Sequence, residues 1–268
     1  MTGSQEYPGS PAGGAGGDLG RGPILSAERR AYATPYESLT FSLVTRARRE
    51  LTVTLAAQPV FDLAISEPVS RRIRRTIRHH GGEPALFALG KRTLDAVDLK
   101  RIDLQTLTHG LDILGPGGGG GVLPAFWRTV ASSGGRFTLL CAELQHGAPR
   151  AGVLIEVVGG LEQAPPETIA EAISHFATEA LGVILHIAPD PAAARRLAGV
   201  PAHCLAIDFA GVEHESARDW DGAQNLIGAA REACSQVLLL NLRPARGMAA
   251  AAAGATHAVF AGMDAITV

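Results

Sequence analysis

From residue 152 to its C-terminal end the chain repeats one rhythm, a short apolar run followed by a helical pattern. The runs read GVLIEVV, VILHIA, HCLAIDF, QVLLLNL and THAVFAG. Runs this short, apolar on successive residues and rich in Val, Ile and Leu, suit strands buried on both faces. Between them lie ETIAEAISHFATEA, PAAARRLAG, NLIGAAREAC and RGMAAAAAG, which carry helical spacing. Pro165 and Pro166 precede the first of these, where proline is tolerated because the opening amides have no intrahelical partner. Gly182 lets the chain leave that helix. Strand-then-helix units of about thirty residues or fewer are those of a parallel sheet closed into a barrel. An open doubly wound sheet has the same local pattern and stays as the fold alternative.

The preceding part of the chain is less regular. Leu51 to Leu63 (LTVTLAAQPVFDL) begins as a β-rich run, with Pro59 marking an edge, a bend or a strand end. The basic run from Arg71 to His80 is expected to form a helix. Val69, Ile73 and Ile77 would line one face, with Arg71, Arg72, Arg74, Arg75 and Arg78 fanned over the rest. A solvated helix face is the plain reading of that run, and a binding surface for phosphates or an acidic partner is the functional one. EPALFALG then leads to a helix over Leu99 to Leu114, in which Ile102, Leu104, Leu107, Leu111 and Leu114 recur at helical spacing. Gly115 to Gly121 (GPGGGGG) lacks the Gly-Lys-Ser/Thr ending of a phosphate loop and reads as a connector. Val122 to Trp127 is the next strand candidate, and the segment through FTLLCAEL is left without an assignment.

Residues 1–25 hold glycines and prolines without spaced apolar positions, so they are read as a disordered Gly/Pro-rich tail before a domain at 26–268. The tail has no basic stretch followed by an apolar one, which argues against a secretory signal. No run approaches the about eighteen apolar residues of a membrane span. Cys141, Cys204 and Cys234 form an odd set without paired spacing, as expected of reduced thiols in a cytoplasmic protein. The formal charge of -2 gives no overall attraction to nucleic acid or an anionic membrane.

In a β/α barrel the C-terminal strand ends share one mouth, so polar residues there are the candidates for chemistry. They are Glu156, His186, Asp190, Asp208 and Asn241, with His257 near the last strand. Glu156 and Asp208 stand out because each interrupts an apolar run, and a buried carboxylate needs a metal, hydrogen-bond donors or a cation beside it. Two carboxylates on separate strands, without a close ligand pair, are weak evidence for a metal, and the plain reading is of strand-end residues hydrogen-bonded to backbone or a neighbouring side chain. His203 and Cys204 are adjacent and do not make a Cys–His couple by themselves. Neither HExxH nor GxSxG occurs. Phe126 and Trp127 beside Arg128 could stack a base or simply pack.

Several phrases together resemble the EAL domain of cyclic di-GMP phosphodiesterases, in a degenerate form, from about Leu51 to the end. AAQPVFDL is similar to the family's opening "QPIVDL" strand, and KRIDLQTLTHGLDIL to its isoleucine-aspartate helix. GVLIEVVGGLEQAPPETIAEAI resembles the "LEITE" strand with the helix after it. VPAHCLAID resembles "LPVDVLKID", and VLLLNLRPARGMAAAAAGATHAVFAG resembles the "VVAEGVE" region with its "YVQGY" strand. Alanine- and arginine-rich relatives of alphaproteobacterial type are similar throughout. The resemblance implies a modified TIM-like (β/α) barrel.

Active members of that family use two divalent metals, held by acidic residues and an asparagine, with a lysine nearby, to hydrolyse cyclic di-GMP. By this resemblance Glu156 matches the metal-binding glutamate of "LEITE", and Asp208 the aspartate of "KID". Ala206 replaces the lysine, the "DDFG" aspartates fall near His186 and Ile187 with the following loop shortened toward Asp190, and the "AEGVE" glutamate falls at Asn241. LPAFW stands without asparagine for the asparagine strand, and SEPVSRR replaces the turn and the signature triplet. Losing metals and lysine together removes nucleophile activation and charge neutralisation. The expectation is therefore a catalytically inactive EAL-like regulatory or scaffold protein without cofactor or metal, Glu156 and Asp208 being remnants. It would act on a protein partner or as a homodimer, with Arg71, Arg72, Arg74, Arg75 and Arg78 as the candidate partner surface. Non-hydrolytic binding of cyclic di-GMP, residual phosphodiesterase activity, and another barrel enzyme reusing Glu156, His186 and Asp208 stay open as alternatives.

Overall fold

A computed structural model describes residues 38–79, 94–114, 121–145, 153–176, 182–212 and 217–263. The tail at 1–25, the domain start at 26, EPALFALG and the 115–120 connector lie outside the described residues.

Three antiparallel strands come first: β1 (Ser38–Val44), β2 (Glu50–Asp62) and β3 (Glu67–His79). Helix α1 (Ala96–Leu114) crosses to β4 (Gly121–Phe126), followed by α2 (Trp127–Ala131) and α3 (Ser133–Gln145). The repeating part then runs β5 (Val153–Val158), α4 (Pro166–Ser174), β6 (Gly182–Ile187), α5 (Pro191–Arg196) and β7 (Cys204–Asp208). It ends with α6 (Ala217–Ala233), β8 (Val237–Leu242), α7 (Gly247–Ala252) and β9 (His257–Phe260).

Strands β3 to β9 pair in parallel, each with the next. The barrel closes where Phe61 and Asp62 of β2 meet Ala258 and His257 of β9, antiparallel. The doubly wound alternative is thereby set aside. Val60, Val122, Leu154, Ile184, Cys204, Ala206, Leu238, Leu240 and Val259 form an apolar cluster of their own inside the barrel. A larger core lies between the outer barrel face and the helices. Filling the lumen with side chains is what makes such a barrel a packed core and not a pore. No described helix is long and apolar enough to cross a membrane.

The basic run is strand β3, and the expected helix is corrected. Its side chains alternate: Ile73 and Ile77 are buried toward α1, whereas Arg74 and Arg78 are exposed on the other face. Register with β2 (Val53↔Ile77, Thr54↔Thr76) carries both strands well beyond the barrel. β1 adds to the outer part of β2 (Phe41↔Val53), so a three-stranded ribbon rises from the C-terminal mouth. The ribbon face that continues the barrel lumen presents Thr40, Thr54, Thr76, Arg74 and Arg78.

Candidate functional site

At the centre of the lumen sits Glu156, fully buried on β5 between Pro124 of β4 and Ile184 of β6. An isolated carboxylate there would be costly, so its partners decide what it is. Arg72 of β3 reaches it with two parallel bonds, Nε to Oε2 at 2.6 Å and Nη2 to Oε1 at 2.9 Å. The same guanidinium donates from Nη1 to Oε1 of Gln58, its cross-strand neighbour on β2, at 2.9 Å. His186 Nδ1 lies 2.8 Å from Glu156 Oε1. A carboxylate only accepts, so this ring nitrogen carries the hydrogen. Burial pushes the Glu156 carboxyl pKa up, but the Arg72 charge and the bonds from His186 and Arg72 outweigh it and hold it at about 2. Glu156 is thus an anion at neutral pH, locked in a fork of donors.

Other sequence candidates are dispersed. Asp208 Oδ1 accepts from Asn241 Nδ2 at 2.7 Å and from the Ala210 amide at 2.8 Å, a side-chain pair at the mouth. Asn241 holds a left-handed backbone (φ 55), which asparagine tolerates better than most residues. Asp190 caps α5, accepting from the Ala192 amide. His257 opens β9 in register with Asp62, at the end opposite the mouth. Burial lowers its pKa to about 4 despite the opposing pull of Asp62. His203 Nδ1 accepts from the Val183 amide, and burial pushes the Cys204 thiol well above its ordinary value, so they make no nucleophilic couple. The Phe126 ring lies 4.0 Å from the Arg75 guanidinium and Trp127 is buried, so both are structural packing.

The arginine surface also needs correction, since its five members do not share a face. Arg72 points into the lumen. Arg75 turns the opposite way to Asp103 of α1, with Nη1 2.6 Å from Oδ1, and is buried there. Arg71 donates to the Leu114 carbonyl at the end of α1. Arg74 and Arg78 alone are exposed, on the ribbon over the mouth. Arg72 and Gln58, not proposed as parts of the central site, complete it. They are hidden while the Arg72 run is read as a helix, since only the β2–β3 register puts Gln58 opposite Arg72.

No protein-family profile and no curated protein matches the sequence. Solved structures do match its fold. The FimX EAL domain of Pseudomonas aeruginosa, bound to c-di-GMP, superposes with a TM-score of 0.61 at 15% identity, covering 78% of this chain and 88% of that one. A standalone EAL protein of Vibrio cholerae O395, also c-di-GMP-bound, gives 0.56 at 13% identity over 77% and 88%. The phosphodiesterase PaMucR, in complex with c-di-GMP, gives 0.57 at 13% identity over 78% and 93%. The chain has the EAL-type barrel fold.

Within an EAL-type barrel, the sequence resemblance implies a divalent metal pair at the lumen carboxylates. The residues present do not fit one. Both Glu156 oxygens are engaged by Arg72, and one of them also by His186. Divalent ions of this kind need several free oxygen ligands around one point, and among the described residues no three His, Cys, Asp or Glu side chains converge. Asp208 is joined to an amide donor instead of a second carboxylate. A fixed guanidinium charge also repels a cation approaching Glu156.

Proposed function

We propose that this chain is a non-hydrolytic EAL-like regulatory or scaffold protein of bacterial signalling that works through protein contacts. The observation that carries the proposal is the forked Arg72–Glu156 pair. In the reading from family resemblance Glu156 is a metal ligand, and here an arginine of the same barrel supplies the balancing positive charge. A guanidinium neutralises the carboxylate but cannot lower the pKa of a bound water or bridge attacking and leaving oxygens. Ala206 stands where the resemblance expects lysine, and alanine supplies no cation at that position. The test is incubation of the purified chain with cyclic di-GMP and magnesium or manganese, with separation of products. Unchanged substrate supports the reading, and robust conversion to the linear dinucleotide overturns it.

A second reading, a non-hydrolytic cyclic di-GMP receptor, has one specific observation in its favour. Arg74 and Arg78 lie on the ribbon face that continues the lumen, above the mouth. Guanidinium groups bind phosphate without metal. The neighbours of known structure include c-di-GMP complexes. Titration calorimetry with cyclic di-GMP separates the readings: saturable heat lost in Arg74→Ala with Arg78→Ala supports the receptor, and no heat at high ligand concentration removes it.

A further inference from the structure

We propose that two copies of this chain pair through the outer edge of β1, forming a twofold dimer that continues the ribbon from one copy into the other. The proposal stands apart from whether the barrel hydrolyses anything.

Its first basis is the direction of the backbone groups. The Thr45 amide donates to the Arg49 carbonyl and the Thr45 carbonyl accepts from the Arg48 amide. The β1–β2 turn therefore closes on Thr45 with a bulge at Arg48 (φ 56) and turns Thr45's backbone groups toward β2. In an antiparallel ladder hydrogen-bonded pairs alternate with non-bonded ones. Leu43, Phe41 and Leu39 therefore bond to β2, and the amides and carbonyls of Ser38, Thr40, Ser42 and Val44 point the other way. Arg101 confirms this direction, since its Nη1 reaches around from α1 to the Val44 carbonyl at 3.0 Å. Among the described residues β1 pairs with β2 alone and ends the sheet.

The second basis is what this edge lacks. Edge strands are ordinarily guarded by a lysine, a proline, a bulge or a covering element. SLTFSLV contains no charge and no proline, and its register with β2 is unbroken. Beside it on α1, Val97 and Leu104 flank Arg101 at helical spacing and are 46% and 36% exposed. Two exposed apolar side chains thus sit on either side of the arginine that reaches this edge, whose outward backbone has no strand partner among the described residues.

Self-complementarity selects a second copy as the occupant. Arg101 closes off Val44, leaving outward groups on Ser38, Thr40 and Ser42. A segment with its middle residue at Thr40 pairs with itself about a twofold axis, Thr40 opposite Thr40 and Ser38 opposite Ser42 of the other copy. Every outward amide then meets a carbonyl. The facing side chains are hydroxyls, so no like charges oppose one another. An isologous contact of this kind closes at two copies.

Sedimentation equilibrium of the full chain at micromolar concentration tests this, with Thr40→Pro and Thr40→Lys alongside. Proline removes an outward amide and spares the bonds to β2, which come from the neighbouring residues. Lysine places like charges opposite each other at the axis. The expected result is twice the chain mass for the wild type and the single mass for the variants, with unchanged circular dichroism and a melting temperature that no longer rises with protein concentration. Thr40→Lys decides the matter if Thr40→Pro does not fold. A monomeric wild type, or an assembly that survives in the folded variants, overturns the proposal.

Discussion

Arg72 and Glu156 stand 84 residues apart in the sequence, yet Nε and Nη2 of the one meet both carboxylate oxygens of the other at 2.6 and 2.9 Å inside the barrel. The pair ties the antiparallel hairpin of β2 and β3 to the first of the regular strand–helix units. It also defines the chemistry of the lumen, because the anion and its balancing charge both belong to the protein.

Breaking that pair on one side is expected to be severe. Arg72→Met leaves the buried Glu156 anion with His186 as its remaining side-chain partner and costs about 3–5 kcal/mol. Combining Arg72→Met with Glu156→Leu removes both charges and recovers most of the loss, since apolar packing commonly replaces a buried pair without penalty. Urea unfolding of the single and double variants measures the difference. A double variant no more stable than Arg72→Met contradicts this account.

Acid is expected to destabilise the fold in two windows. His257 has an ordinary pKa of 6.5 and about 4 when folded, so the unfolded chain takes up that proton first. Its contribution is complete above 6.5 and is lost as the pH falls toward 4. Glu156 goes from 4.5 to about 2 on folding, so its contribution is complete above 4.5 and is lost as the pH falls toward 2. Denaturant midpoints followed across both windows should show two successive declines. His257→Asn should flatten the first and leave the second.

Helix α1 is fastened to the barrel by a second buried pair. Asp103 accepts from Arg75 Nη1 and from the Phe126 amide at 3.1 and 3.2 Å. Asp103→Ala strands the Phe126 amide, leaves the Arg75 charge with only the long bond to Thr106 Oγ1 at 3.3 Å among these acceptors, and is expected to cost about 3 kcal/mol. Thermal melting gives the loss, and faster amide exchange at Phe126 would locate it at the α1–β4 contact.

Two glycines should respond in opposite directions. A Cβ at Gly182 would lie 2.5 Å from Leu154 Cδ2 and 2.6 Å from the His203 ring, so Gly182→Ala costs about 1–3 kcal/mol. Gly228 lies within α6 with open space where its Cβ would be, and Gly228→Ala should stabilise by about 0.5–1 kcal/mol. Paired unfolding curves check both signs.

The strand–helix rhythm was legible because parallel strands buried on both faces become unbroken apolar runs, and β5 to β9 fell where those runs lie. The basic strand was misread for a physical reason. Val69, Ile73 and Ile77 are four apart, and that spacing satisfies a helix of period 3.6 as well as a strand of period 2. The residue that would have decided between them is Arg75, which occupies the buried row between Ile73 and Ile77 as an ion-paired charge. Position 75 therefore looked solvent-facing. At the site, Glu156 was recognisable as an interruption of an apolar run, but its partner was not. Which cation meets a buried carboxylate is set by the hairpin register that places Arg72 opposite Gln58. β1 passed unassigned although Leu39, Phe41 and Leu43 alternate, since a seven-residue strand that buries one face only partly gives little signal.

The most direct test of the central claim is a titration of manganese(II) into the wild-type chain, followed by the paramagnetic resonance of the free ion. With the Glu156 oxygens held by Arg72, the free-ion signal should be the same with and without stoichiometric protein at micromolar concentration. Loss of signal corresponding to one or more ions bound per chain would contradict the account.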